Sequence, residues 1–220
     1  MVSEIEEKIK QHTEKIKAKQ YDMPQGLCPK CSEKPKCFKL HESRPRKFFF
    51  ILADIVKQIE SLLLRWKCIL CKATFTEYPD FALPYKRYVS DDIVRLTDQY
   101  LEQHRETYRR LVSDQTDRNR TQVTAYEKNP KSSLAYSTPW HWIKLLGQLP
   151  RVHQAGLELI RNFEPSTELF RRFAPVAPRK YRSQARKGLL QKAKNLLFLN
   201  REHEKLFSRK IFPRFETLHL

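Results

Sequence analysis

The chain has 220 residues, with 43 Lys and Arg against 25 Asp and Glu for a formal net charge of +18. Such an excess points to a polyanionic partner, nucleic acid before others, and the length suits one large domain or about two to three small ones. The longest apolar stretch, Phe48 to Ala53, falls far short of the ~20 residues that span a bilayer, so no membrane partner is expected.

The charge is unevenly spread. Residues 1–90 carry 18 basic and 11 acidic side chains, residues 91–137 carry eight of each, and residues 138–220 carry 17 and 6. Cationic surface is therefore expected at both ends of the chain. The opening run Met1-Val2-Ser3-Glu4-Ile5-Glu6-Glu7 lacks a basic stretch followed by an apolar one. No secretory signal is expected, and the thiols should meet a reducing, cytoplasmic environment.

In chain order, residues 3–20 predict a charged helix with Ser3 as cap, Glu6 at the capping-box position, and a thin apolar stripe of Ile5, Ile9 and Ile16. Such a stripe is marginal alone unless docked on something. Cys28-Pro29-Lys30-Cys31 follows, and Cys68-Ile69-Leu70-Cys71 repeats its spacing 36 residues later. Between them, Cys37–His41, Phe48–Leu52 and Leu62–Lys67 are extended candidates, with 52–61 open to a helical turn instead. Three or four short strands are expected to carry the cysteines. Tyr78 to Tyr88 is a proline-punctuated aromatic connector, expected to pack against its neighbours rather than stack on bases.

Ser90-Asp91-Asp92 opens a helix with Ile93, Leu96, Tyr100 and Leu101 at helical spacing, and a second helix runs through Thr107 to Val112. Residues 114–133 look irregular. Ser137-Thr138-Pro139-Trp140-His141-Trp142-Ile143-Lys144-Leu145-Leu146-Gly147 predicts a helix of about two turns, with Thr138 as cap, Pro139 at the first helical position and Gly147 as stop. Further helices are expected over 152–163, 166–173 and 183–207.

Paired CxxC steps can aim four sulfurs at one metal, and Cys28, Cys31, Cys68 and Cys71 are the expected ligands of a single structural Zn2+. Four thiolates fill a tetrahedral sphere and leave no position for an activated water. Cys37, without a CxxC partner, is read as a small core residue.

In the helix from Thr138, either Trp140 or Trp142 should pack inward with Ile143 and Leu146. Thr138, His141 and Lys144 are then candidates for groove contact. Arg179, Lys180, Arg182, Arg186 and Lys187 cluster near the start of the last helix and are better assigned to phosphates than to bases. No P-loop, HExxH or GxSxG pattern appears, and the acids sit in helix first turns or among bases, so the chain is not expected to be an enzyme.

Four parts in order carry a resemblance: CxxC, CxxC with Phe75 four residues on, Leu83-Pro84-Tyr85-Lys86-Arg87-Tyr88, and Ser137-Thr138-Pro139-Trp140-His141-Trp142. Together they resemble the zinc-ribbon and helix-turn-helix proteins related to bacterial transposases, over roughly residues 25–150. His141 stands where those proteins carry arginine, and the segment before the last helix is longer than theirs.

The resemblance implies a mainly α fold with a small β zinc ribbon, divided as an N-terminal helix (1–24), a four-cysteine ribbon (25–78), a connector with helix-turn-helix unit (79–150) and a basic helical region (151–220). The expected function is non-catalytic binding of double-stranded DNA at the nucleoid, as a targeting, accessory or regulatory subunit of a mobile element working beside a separate recombinase. A transcriptional repressor and an RNA-binding component of a ribonucleoprotein are the alternative readings.

Overall fold

Helix α1 (Glu4–Lys17) begins where Ser3 accepts the Glu6 backbone N–H at 3.3 Å, with acids in its first turn and lysines in its last. The computed structural model describes residues 3–24, 26–52, 55–103, 106–116, 134–135, 137–165, 173–176, 183–208 and 210–211. A 3-10 turn over Pro35–Cys37 leads into strand β1 (Phe38–Leu52), which is followed by β2 (Ile55–Cys68) and β3 (Thr74–Glu77). The sheet runs β1-β2-β3, with β2 central. Helices α2 (Ser90–Glu102), α3 (Tyr108–Thr116), α4 (Thr138–Gly147), α5 (Pro150–Phe163) and α6 (Gln184–Phe207) complete the described elements.

The fold thus joins helices to one small sheet, as expected, but two of its three strands are long, at 15 and 14 residues. Residues 55–61 are strand, not a helical turn. The β-branched residues Ile55, Val56 and Ile59 favour an extended backbone there, and Val56 is buried between exposed Ile55 and Lys57. The predicted helix over 166–173 and most of the irregular 114–133 segment lie outside the described residues.

The chain divides into two compact units, one of Met1–Phe50 and Gln58–Ser90, the other of Ile51–Lys57 and Asp91–Ile211. In the first, Ile16 of α1 joins Phe38, Leu64, Trp66, Cys28 and Cys68 in one buried cluster, with Tyr21, Cys37 and Phe75 packed against it. The thin stripe of α1 is therefore docked on the sheet. Thr13 Oγ1 meets Ser61 Oγ at 2.8 Å and His12 Nε2 lies 3.2 Å from the Leu62 carbonyl. Burial holds the His12 imidazole below its ordinary value.

The connector packs into the same unit. Phe81, Ala82 and Leu83 are buried, Phe81 meets Phe48 edge-on at 5.4 Å, and Val89 donates to the Phe49 carbonyl at 3.0 Å. Tyr85, at 77% exposure, stays in solvent. In the second unit, α4 and α5 both pack on α6, whose Leu190, Ala193, Leu196 and Leu197 are buried. Asp92, in the first turn of α2, accepts the Ile51 backbone N–H at 2.7 Å and the Arg95 guanidinium at 3.0 Å. Among the described residues no helix is long and apolar enough to cross a membrane.

Candidate metal centre and nucleic-acid interface

Each CxxC step is built the same way. The Cys28 N–H donates to the Glu33 carbonyl at 2.8 Å, and the Cys68 N–H to the Ala73 carbonyl at 2.9 Å, both across five residues. The residue after each second cysteine takes a left-handed backbone, Ser32 with φ 58° and Lys72 with φ 61°. That twist turns the chain back on itself, so two cysteines three apart face the same point. The second knuckle is tied to the end of the 3-10 turn through the Ile69 N–H, which donates to the Cys37 carbonyl at 2.8 Å.

All five cysteines are free thiols. The sulfurs of Cys28, Cys31, Cys68 and Cys71 lie within 4.8 Å of one another and could hold a metal ion. Cys28 Sγ is 3.5 Å from Cys71 Sγ, and Cys31 Sγ is 3.7 Å from Cys68 Sγ. A tetrahedron of sulfurs ~2.3 Å from a central ion has edges of ~3.8 Å, so this arrangement fits four-thiolate ligation. Cys37 stays outside the group and packs against the apolar cluster.

The thiols by themselves cannot all ionise. Backbone N–H groups, that of Cys71 first, draw Cys68 down to about 7. The Glu33 backbone favours a Cys31 thiolate, but desolvation and the three neighbouring thiols outweigh it and push Cys31 up to about 12. A cation removes this conflict, because a coordinating thiol is deprotonated outright.

The second candidate site is α4. Its buried face is Pro139, Trp142, Ile143, Leu146 and Gly147. His141, Lys144 and Gln148, at helical spacing, are exposed, as is Arg151 at the start of α5. Thr138 is the first helical residue and not the cap. Ser137 takes the cap position without a side-chain hydrogen bond, and Pro139 lies in the first turn.

Gly147 has a role that the stop signal did not suggest. A Cβ there would come within 2.5 Å of the Leu189 carbonyl oxygen, so glycine lets α4 end against α6.

Of the five cations assigned to phosphates, Arg179, Lys180 and Arg182 lie outside the described residues. Lys187 is exposed. Arg186 is engaged internally: its guanidinium carbon lies 4.7 Å from the Trp140 ring centre and 5.8 Å from that of Tyr108, and Nη2 donates to the Tyr108 hydroxyl at 3.3 Å. Tyr108 in turn stacks on Tyr100 at 4.3 Å, and burial pushes its phenol up to about 12. Arg186 therefore joins α3, α4 and α6. No local pattern announced this stack, since its members stand far apart in sequence.

Residues 28–119 match a protein-family model described as a domain of unknown function (DUF6431). The matched stretch holds all four clustered cysteines, the sheet, the connector, α2 and α3, and ends before α4. No curated protein and no solved structure matches the chain.

Proposed function

We propose that the chain is a non-catalytic, duplex DNA-binding protein whose Cys28, Cys31, Cys68 and Cys71 hold one structural Zn2+ and whose α4 lies in the major groove. The observation that carries the reading is the two-sidedness of α4. Trp142, Ile143 and Leu146 anchor it, while His141, Lys144 and Gln148 present donors and charge on the opposite side. A short helix with a rigid apolar back and a polar, cationic front is what groove recognition requires. In a helix-turn-helix the N-terminal residues meet base edges, which here assigns that role to Thr138 and His141.

The zinc is closed to chemistry: four thiolates leave no open coordination position, so its contribution is to fold the ribbon. The net charge of +18 supplies the sequence-independent attraction to phosphates. Lys187, with Arg179, Lys180 and Arg182, belongs to that attraction, whereas Arg186 serves it through the stack that holds α4. In a mobile element such a protein would target or regulate a separate recombinase.

The test is binding at one fixed salt concentration to duplex DNA, single strands and structured RNA, with the H141A/K144A variant alongside. Duplex DNA should bind tightest, and the variant should lose preference among duplex sequences. Equal affinity for structured RNA would overturn the duplex reading, and an unaltered variant would remove α4 from the interface.

A further inference from the structure

The ribbon has a face that its metal does not use. In the β2–β3 ladder, Trp66 pairs with Phe75 and Leu64 with Glu77, whereas Arg65 pairs with Thr76 and Lys67 with Thr74. Directly paired residues point to one side of a sheet and alternate along each strand. Trp66, Leu64 and Phe75 belong to the apolar cluster, so Arg65, Lys67, Thr74 and Thr76 occupy the opposite side. On β1, Phe38, Phe48 and Phe50 are buried, and Arg44 is exposed.

The charges on this side are organised around one carboxylate. Glu42 is bridged by Arg44 at 2.8 Å and by Arg65 at 3.0 Å. These two guanidiniums, Arg44 first, hold Glu42 below the usual carboxylate range. Arg65 also donates to Thr74 Oγ1 at 2.8 Å. Two arginines share a single acid, so the group keeps a positive excess and its guanidinium is held in place before any ligand arrives. Lys67, two residues from Arg65 on the same strand, adds to it. Across residues 28–77 the ribbon carries 11 Lys and Arg against 5 Asp and Glu.

We infer that this solvent face of the sheet, with Arg44, Arg65 and Lys67, is a second nucleic-acid surface that binds the phosphate backbone without reading sequence. The inference rests on the nucleic-acid reading above and extends it from α4 to the ribbon. Cations two apart on a strand, such as Arg65 and Lys67, stand about 6.7 Å from each other, far enough apart for each to meet a different phosphate of one backbone. Hydroxyls from Thr74 and Thr76 supply the neutral donors that phosphate contacts use beside arginine and lysine. A membrane surface is the less suited polyanion, because lying in it requires apolar residues beside the cations, and this side of the β2–β3 ladder offers threonines.

The experiment uses the full chain with R44Q/K67Q, two exposed positions, and follows affinity for a duplex of arbitrary sequence against salt concentration. Losing two phosphate contacts should flatten the log–log slope by about 1.8, with metal content and far-UV spectrum unchanged. An unchanged slope overturns the proposal. So does a variant that loses binding only to phosphatidylserine vesicles, which would assign the face to a membrane.

The H141A/K144A variant separates this inference from the reading it rests on. A flattened slope in R44Q/K67Q with a silent α4 variant would refute α4 and keep the ribbon face. The reverse pattern would refute the ribbon face and keep α4. If the wild-type chain shows no salt-dependent binding to the duplex, both fall.

Discussion

In the unit of Met1–Phe50 and Gln58–Ser90, two of the four clustered thiols, Cys28 and Cys68, are members of the same buried cluster as Ile16, Phe38 and Trp66. Core and ligand set are there one object. In the unit of Ile51–Lys57 and Asp91–Ile211, the apolar residues of α4 and α5 close on α6, and buried polar groups are tied within that helical packing. Lys194, for example, reaches the Glu102 carboxylate and the Pro175 carbonyl, each at 3.1 Å. One unit gathers four thiols that could hold an ion; the other carries its own counter-charges. If the proposed metal is structural, the contrast predicts that the helical unit keeps its fold without metal while the ribbon loses its own.

Metal removal is the strongest way to break this comparison. A chelator should unfold the sheet and free Trp66 from its buried contacts, since structural zinc sites of this kind contribute on the order of 10 kcal/mol to folding. Near-UV circular dichroism reports the loss, while the far-UV helical signal of α2–α6 should persist. If the helices melt together with the sheet, the two units are not independent.

Gly147→Ala should act on the other side. The added methyl meets the Leu189 carbonyl oxygen at 2.5 Å, and overpacking of this kind costs about 1–3 kcal/mol. Denaturant unfolding of the helical unit should shift to lower concentration, with metal stoichiometry unaltered.

Arg186→Gln removes the cation from the Trp140 and Tyr108 rings, an interaction worth about 1 kcal/mol when partly desolvated. Tryptophan emission should change along with stability. Lysine at that position keeps the charge without the planar stack and should restore little.

The smallest effect belongs to Glu77→Gln in the ribbon. Burial pushes the Glu77 carboxyl up, although the Trp66 indole N–H donates to it at 2.9 Å. The folded state therefore holds this proton more tightly than the unfolded one. Its stability contribution falls as pH rises from the ordinary carboxylate value of about 4.5 through the raised value, and stays unfavourable above it. Glutamine can still accept from Trp66 without the charge. A gain of about 0.5 kcal/mol or less is expected at neutral pH, shrinking to nothing in acid, as thermal melts across pH would show.

Much of this was legible in the residue order, because local rules decide it. Repeated CxxC spacing identified four sulfurs that the fold brings within 4.8 Å. Ser3 announced the start of α1, and the apolar spacing of α4 separated Ile143 and Leu146, with either Trp140 or Trp142, from His141 and Lys144; the fold buries Trp142. What escaped depends on distant partners. Residues 52–61 carried both strand and helix signals, and pairing within the sheet decided between them. Gly147 read as a stop because nothing nearby in sequence reveals Leu189. Arg186 read as one more free cation because its two aromatic partners come from α3 and α4. Glu42, with His41 before it and Arg44 two residues on, gave no hint that Arg65 would share it.

The left-handed residues of the two knuckles carry one more consequence. None of the four glycines stands at a left-handed position, and serine and lysine hold φ values of 58° and 61° at a cost of roughly 1 kcal/mol each. Were an ion held there to leave, Ser32 and Lys72 would gain by swinging back to ordinary backbone, so emptying the site would be favoured by the chain as well as by thiol protonation. The two residues would thereby set a threshold, with the ribbon assembling only above a free-metal level higher than glycine-bearing knuckles would demand. Glycine at both positions should lower that level on the order of tenfold, readable in a metal-buffered folding titration. Availability of the ion, and not only its identity, would then decide whether this half of the protein is present in folded form.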